Sequence, residues 1–173
     1  MNFLKLKEAR IKKKFDKNIK QVSEHRIVSQ KEIKSVGILT TEIISSKIDL
    51  QAKIETVLGV RNVKIYSFKK KDKIKDTSFK YFTQKDINWS GVYIEPSFKS
   101  FLDEPFDLLI GYFKEANLYL ENAVLQSNAT FKAGFSEVNS KLYELEISEN
   151  TEQVEAFLLE LKKYLQILKK LKN

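Results

Sequence analysis

Apolar residues in the first twenty positions recur at helical intervals. Leu4, Ile11, Phe15 and Ile19 fall at sevens and fours, with lysines filling the other side and no glycine or proline. That spacing predicts a basic amphipathic helix. The polar, aperiodic "KNIKQVSEHRIVSQKEIK" then reads as a connector. Next, "SVGILT" (35–40) is a short apolar run of the kind that forms a core strand. In "SSKIDLQAKIETVLG", Ile48, Leu50, Ile54, Val57 and Leu58 give one apolar face to a helix. Ser45 or Ser46 is placed to cap its start, and Gly59 stands where a helix ends in a left-handed residue. "NVKIYSF" (62–68) alternates as a second strand. Strand, helix and strand within so few residues predict a right-handed βαβ unit and a parallel pair.

The charged "KKKDKIKD" (69–76) reads as a loop. The stretch "SFKYFTQKDINWSGVYIEPSFKSFLDEPF" carries both prolines and the only tryptophan without a clean period. It reads as an elaborated loop with room for a short strand or helical turn. "FDLLIGYF" (106–113) predicts a third, central strand, and "ANLYLENAVLQSN" the helix after it. "TFKAGFS" and "KLYELEIS" supply a fourth and a fifth strand. In "NTEQVEAFLLELKKYLQILKKLKN", Asn150 and Gln153 fit a capping box. A buried stripe there runs through Val154, Phe157, Leu158, Leu161, Leu165, Leu168 and Leu171. Acids precede lysines along this helix, as its dipole favours. The expected architecture is an α/β, Rossmann-like three-layer domain, with a mostly parallel sheet of four to five strands. A basic N-terminal helix and connector would occupy residues 1–30, and the α/β domain 31–173.

Composition narrows the chemistry. A chain of 173 residues with 42% hydrophobic and 31% charged content can build a core. Without cysteine there are no disulfides or thiolate metal sites. The single His25 lies in a polar segment and reads as a surface residue. No metal site and no cofactor are expected. No secretory signal pattern and no apolar run of membrane-spanning length stands out, so a cytoplasmic location is expected, peripheral to the membrane if a lipid surface is the partner.

Charge is uneven. Residues 1–20 hold eight Lys/Arg against two Asp/Glu, and 61–85 hold nine against two, whereas 86–160 hold four against fourteen. Lys12, Lys13 and Lys14, with Lys69, Lys70 and Lys71, are therefore candidates for a polyanion surface, RNA or anionic membrane. The aromatics Phe79, Tyr81 and Phe82 beside the second cluster suit single-stranded RNA. A solvated lysine face accounts for the same pattern.

At the first strand–helix junction, "LTTEIISSK" has neither of the glycine-rich phosphate signatures. Its hydroxyls, Thr40, Thr41, Ser45 and Ser46, could meet an anion, and they equally suit plain capping. Ligands of parallel sheets bind beyond the carboxyl ends of the strands. That rule selects Thr40, Thr41, Glu42, Tyr112 and Glu115 as ligand-binding candidates, with Asn117 close by. It sets aside Asp103, Glu104 and Asp107, which precede the central strand. Trp89, in "DINWSG", is a candidate partner surface or a core plug beneath the loop. No catalytic constellation emerges, and the chain reads as a non-enzymatic binding or adaptor module. A small-ligand binder or reduced transferase at the sheet's carboxyl edge is the alternative.

Taken together, "SVGILTTE", "INWSG", "FDLLIGYF" and "FKAGFS" resemble an uncharacterised family of small flavobacterial proteins, a domain of unknown function. That resemblance runs from about residue 35 onward and implies no activity. "FDLLIGYF" and "FKAGF" are also distantly similar to the N-terminal Rossmann-like domain of heptosyltransferase-type glycosyltransferases. The glycine and acid of that family's first loop are absent here, Gly111-Tyr112-Phe113 replaces its acidic strand end, and its nucleotide-sugar domain has no counterpart in these residues. The similarity implies the fold and not the transfer reaction.

Overall fold

The computed structural model describes residues 2–70 and 79–172. Among these residues six strands form one sheet: β1 (Ser35–Thr41), β2 (Asn62–Phe68), β3 (Tyr81–Phe82), β4 (Leu108–Tyr112), β5 (Lys132–Phe135) and β6 (Leu145–Ile147). Their order is β3-β2-β1-β4-β5-β6, and every neighbouring pair is parallel. The helices are α1 (Phe3–Glu24), α2 (Glu42–Lys47), α3 (Leu50–Leu58), α4 (Pro96–Asp103), α5 (Leu118–Gln126) and α6 (Val154–Ile167). This is the expected three-layer α/β architecture, with one strand more than expected. The extra strand, β3, is two residues long and offers no period to read.

Alternation along β4 divides the core. Leu108, Ile110 and Tyr112 face α3 and α6, while Leu109 and Phe113 face the layer of α1, α4 and α5. Both faces are covered, so the strand reads as one continuous apolar run. Ile11, Phe15 and Ile19 of α1 belong to the second core, where Phe82 and Phe98 stack with ring centroids 4.0 Å apart. The helix runs on to Glu24 and takes in the first part of the sequence read as connector.

Three local expectations change. The single helix over 45–58 is two helices, broken at Ile48, whose backbone is extended. Thr41 caps α2 and Asp49 caps α3; Ser45 and Ser46 lie inside α2 and donate back to the carbonyls of Glu42 and Ile43. Gly59 ends α3 at φ 70°, as its position predicts. The capping box at α6 is not formed: Gln153 occupies the cap position without a side-chain bond, and Asn150 turns the chain before it. Within α6 the buried stripe ends at Leu165; Leu168 is exposed, and Leu171, beyond the helix, is half-buried against the core.

A close approach fixes the packing of β4 on β5. The Tyr143 ring lies flat on Gly111 and Gly134, which face each other in the sheet; a Cβ on either would collide with the ring. Glu146 is next in the same cross-strand row.

Candidate functional site

The sheet order reverses direction between β1 and β4, since β1 is followed outward by β2 on one side and β4 by β5 on the other. In open α/β sheets the ligand crevice lies outside the carboxyl ends of the strands at that switch point. A cavity of about 500 Å³ occupies that place. One wall is Thr41 with Ile43, Ile44, Lys47 and Ile48 of α2 and its exit. The second is the Phe113–Asn117 loop that follows β4, and the third is Asn150–Glu152, which leads into α6.

Local bonds hold each wall. Thr41 Oγ1 accepts the Ile44 amide at 3.2 Å and sets the start of α2. Asn117 Oδ1 accepts the Tyr119 and Leu120 amides, both at 3.0 Å, and Glu121 Oε2 accepts the Asn117 amide at 2.9 Å. Together they finish the start of α5. Tyr112 reaches the third wall from β4: its hydroxyl donates to the Thr151 carbonyl at 2.7 Å, and its ring meets Phe135 and Phe157 edge-on. Burial raises the Tyr112 phenol well above the ordinary range, with Glu155 and Glu149 adding to the effect. The phenol is therefore a permanent donor in that bond.

The candidates chosen from sequence separate into groups. Thr41 and Glu115 line the crevice. Thr40 and Tyr112 are buried supports, and Thr40 Oγ1 donates to the Tyr112 carbonyl at 2.7 Å across the strands. Glu42 does not line the crevice; its Oε1 stands 3.9 Å from Lys69 Nζ. The four hydroxyls at this junction are all engaged in capping, turn or cross-strand bonds. Lys47, Phe113, Lys114 and Asn150–Glu152 line the crevice without having been selected. The strand-end rule reaches Phe113 and Lys114, but no local signal marks Asn150–Glu152, which a bond from Tyr112 carries into place.

The polyanion candidates do not form one surface as a set. Lys12 pairs with Asp16 one turn on, Lys13 is exposed, and Lys14 Nζ donates to the Ser90 carbonyl at 2.6 Å. Lys69 is buried, with its ammonium 4.8 Å from the Tyr81 ring centroid. Lys70 is exposed, and Lys71 lies outside the described residues. Trp89 is 41% exposed, not a core plug. His25 caps the end of α1. No group of three or more His, Asp or Glu suited to a metal ion occurs among the described residues.

A second cavity, about 680 Å³, runs beside β2 between α2–α3 and Phe79–Lys80. Residues along the flank of β2, including Val63 and Ile65, line it, so it lies away from the switch point.

Residues 7–168 match the model of a family of unknown function, DUF6913, and the chain belongs to that family. No curated protein and no solved structure matches the chain. Among the described residues, no helix is long and apolar enough to cross a membrane.

Proposed function

We propose that this member of DUF6913 is a small-ligand-binding domain without catalytic machinery, and that its site is the crevice between the carboxyl ends of β1 and β4. The observation that carries the reading is the coincidence of an open cavity with the one switch point of the sheet. The walls combine apolar surface from Ile43, Ile48 and Phe113 with two ammonium groups, Lys47 and Lys114, and two carboxylates, Glu115 and Glu152. That mixture suits a small molecule with an apolar body and groups of both charges. Lys114 is already 3.5 Å from Glu137, a half-exposed pair whose ammonium can turn to a ligand at small cost. Binding is favoured over catalysis because the crevice offers no histidine, and the hydroxyls above it are committed to the backbone.

The test is a thermal-shift screen of small organic zwitterions and anions on the whole chain, repeated on Ala116→Trp. Ala116 is exposed and lines the crevice, so an indole there fills the cavity without touching the core. A ligand that raises Tm in the native chain and not in Ala116→Trp supports the site. A ligand whose shift survives that substitution sinks it.

A further inference from the structure

We infer that the outer face of α1 and the hairpin tip beside it form one surface that docks on an anionic lipid bilayer. Arg10, Lys13, Lys17 and Lys20 are all exposed, and their spacing of three and four residues places them on one line of the helix. Over ten residues that line is about 15 Å long. Among the described residues none of the four makes an ion pair or side-chain hydrogen bond. Lys12, Asp16 and Lys14 flank the line with partners of their own. The line continues toward the start of the chain as Leu6 and Phe3, 50% and 68% exposed. The face opposite, Ile11, Phe15 and Ile19, is buried in the core, so α1 cannot turn its apolar side to lipid. What remains outside is a row of free cations ending in two apolar side chains.

The second observation is the hairpin. Ile87 bridges Tyr93 in antiparallel fashion, and both point into the core. Alternation then turns Val92 and Ile94 outward, 41% and 55% exposed, with Trp89 at the tip. This tip is fastened to α1: Lys14 Nζ donates to the Ser90 carbonyl, and Lys7 Nζ to the Gln84 carbonyl. Exposed Trp beside exposed cations is the composition that headgroup regions favour, the indole at the interface and the ammoniums over phosphates. A cationic array and an apolar insertion act as two weak signals that together hold a protein at a bilayer. A single-stranded nucleic acid would instead need a basic groove, and here the cations stand on the convex back of one helix.

The experiment uses the full chain with vesicles of equal parts phosphatidylglycerol and phosphatidylcholine, and with pure phosphatidylcholine vesicles as control. Trp89 is the only tryptophan, so its emission reports the hairpin alone. Binding is expected on the anionic vesicles only, weakening steeply with salt, with Trp89 emission moving to shorter wavelength. Replacing all four strip residues (Arg10→Gln, Lys13→Gln, Lys17→Gln, Lys20→Gln) should weaken binding several-hundred-fold, about fivefold per cation. Their exposure and lack of bonds leave the fold unaffected, which the melting curve checks; if the combined variant melts early, the salt dependence of the native chain decides. Equal binding to both vesicles, no binding, or no response to the four substitutions overturns the proposal. Binding with unchanged Trp89 emission overturns it too, because the hairpin is then no part of the surface. RNA that competes the protein off the vesicles assigns the strip to nucleic acid and overturns it as well.

Discussion

The two ends of the sheet are built from similar residues to opposite effect. At the amino ends of the strands, buried polar groups are tied to backbone. Asp107 accepts the Lys34 amide at 3.0 Å and the Ser35 hydroxyl at 3.3 Å, while Ser35 Oγ accepts the Asp107 amide at 3.0 Å. Lys170, 1% exposed, donates to the carbonyls of Ser29 and Lys31. Lys132 donates to the Val124 and Leu125 carbonyls at the end of α5. At the carboxyl ends, the polar groups hold walls apart and leave space between them. The contrast teaches that burial of a charged residue is no guide to function here. The deepest charge, Lys170, closes the amino end, yet Lys69 is buried as well and stands at the carboxyl end of β2, while Lys47 and Lys114 at the crevice are more exposed.

The largest expected effect comes from breaking the closed end. Asp107→Ala leaves the Lys34 amide and the Ser35 hydroxyl without their acceptor and should cost about 2–4 kcal/mol in denaturant unfolding. Asp107→Asn, which keeps an acceptor, should lose less. Equal losses would mean that charge, not the bond pattern, matters.

Titration gives the next effect. Burial lowers the Lys132 ammonium to about 8, with Glu144 partly opposing it. The charged form is thus disfavoured in the fold, and stability from this group rises as pH climbs from 8 toward 10.5. Tyr93, Tyr119 and Tyr143 behave oppositely. Burial holds their phenols above the ordinary 10.0, and stability they contribute below pH 10 is lost as pH rises further. Tm should therefore increase modestly from pH 8 to about 10 and fall beyond it. Burial lowers the Lys170 ammonium too, so in Lys132→Met the rise should shrink to the part Lys170 supplies and the fall persist; a rise of undiminished size would clear Lys132 of the effect.

Smaller still is the open end. Tyr112→Phe removes the donor that fixes Thr151 and should cost about 1 kcal/mol. It should also weaken any crevice ligand, because one wall loses its anchor. Tyr143→Phe is the matched control. Among the described residues the buried Tyr143 hydroxyl has no hydrogen-bond partner, so its removal should be neutral or stabilising by up to about 1 kcal/mol. A loss at Tyr143 as large as at Tyr112 would erase the distinction between a used and an unused phenol.

How much of this was written locally in the chain depends on the element. Strands β1 and β4 were legible as apolar runs and β2 by its alternation, each long enough to show its character. The α4 helix was not, since its cap is Glu95, an uncommon choice, and its three buried residues, Phe98, Phe101 and Leu102, sit among aromatics without a long period. At the site, Thr41 and Glu115 followed from the strand-end rule. The Asn150–Glu152 wall could not, because Tyr112 positions it from 39 residues away. The lysine triplet does not share one role, for a geometric reason. Lys12, Lys13 and Lys14 are adjacent in sequence, yet successive helical residues point about 100° apart. One salt-bridges, one is free and one fastens the hairpin.

The Tyr143 ring over Gly111 and Gly134 carries a consequence for descent. Neither glycine can become any other residue while the ring is there, and a smaller residue at 143 would leave a gap the size of a phenol between sheet and helix. The three positions are thus heritable only as a group. Across relatives of this chain they should appear together or be replaced together, and a lineage that lost the ring would be free to vary both glycines at once.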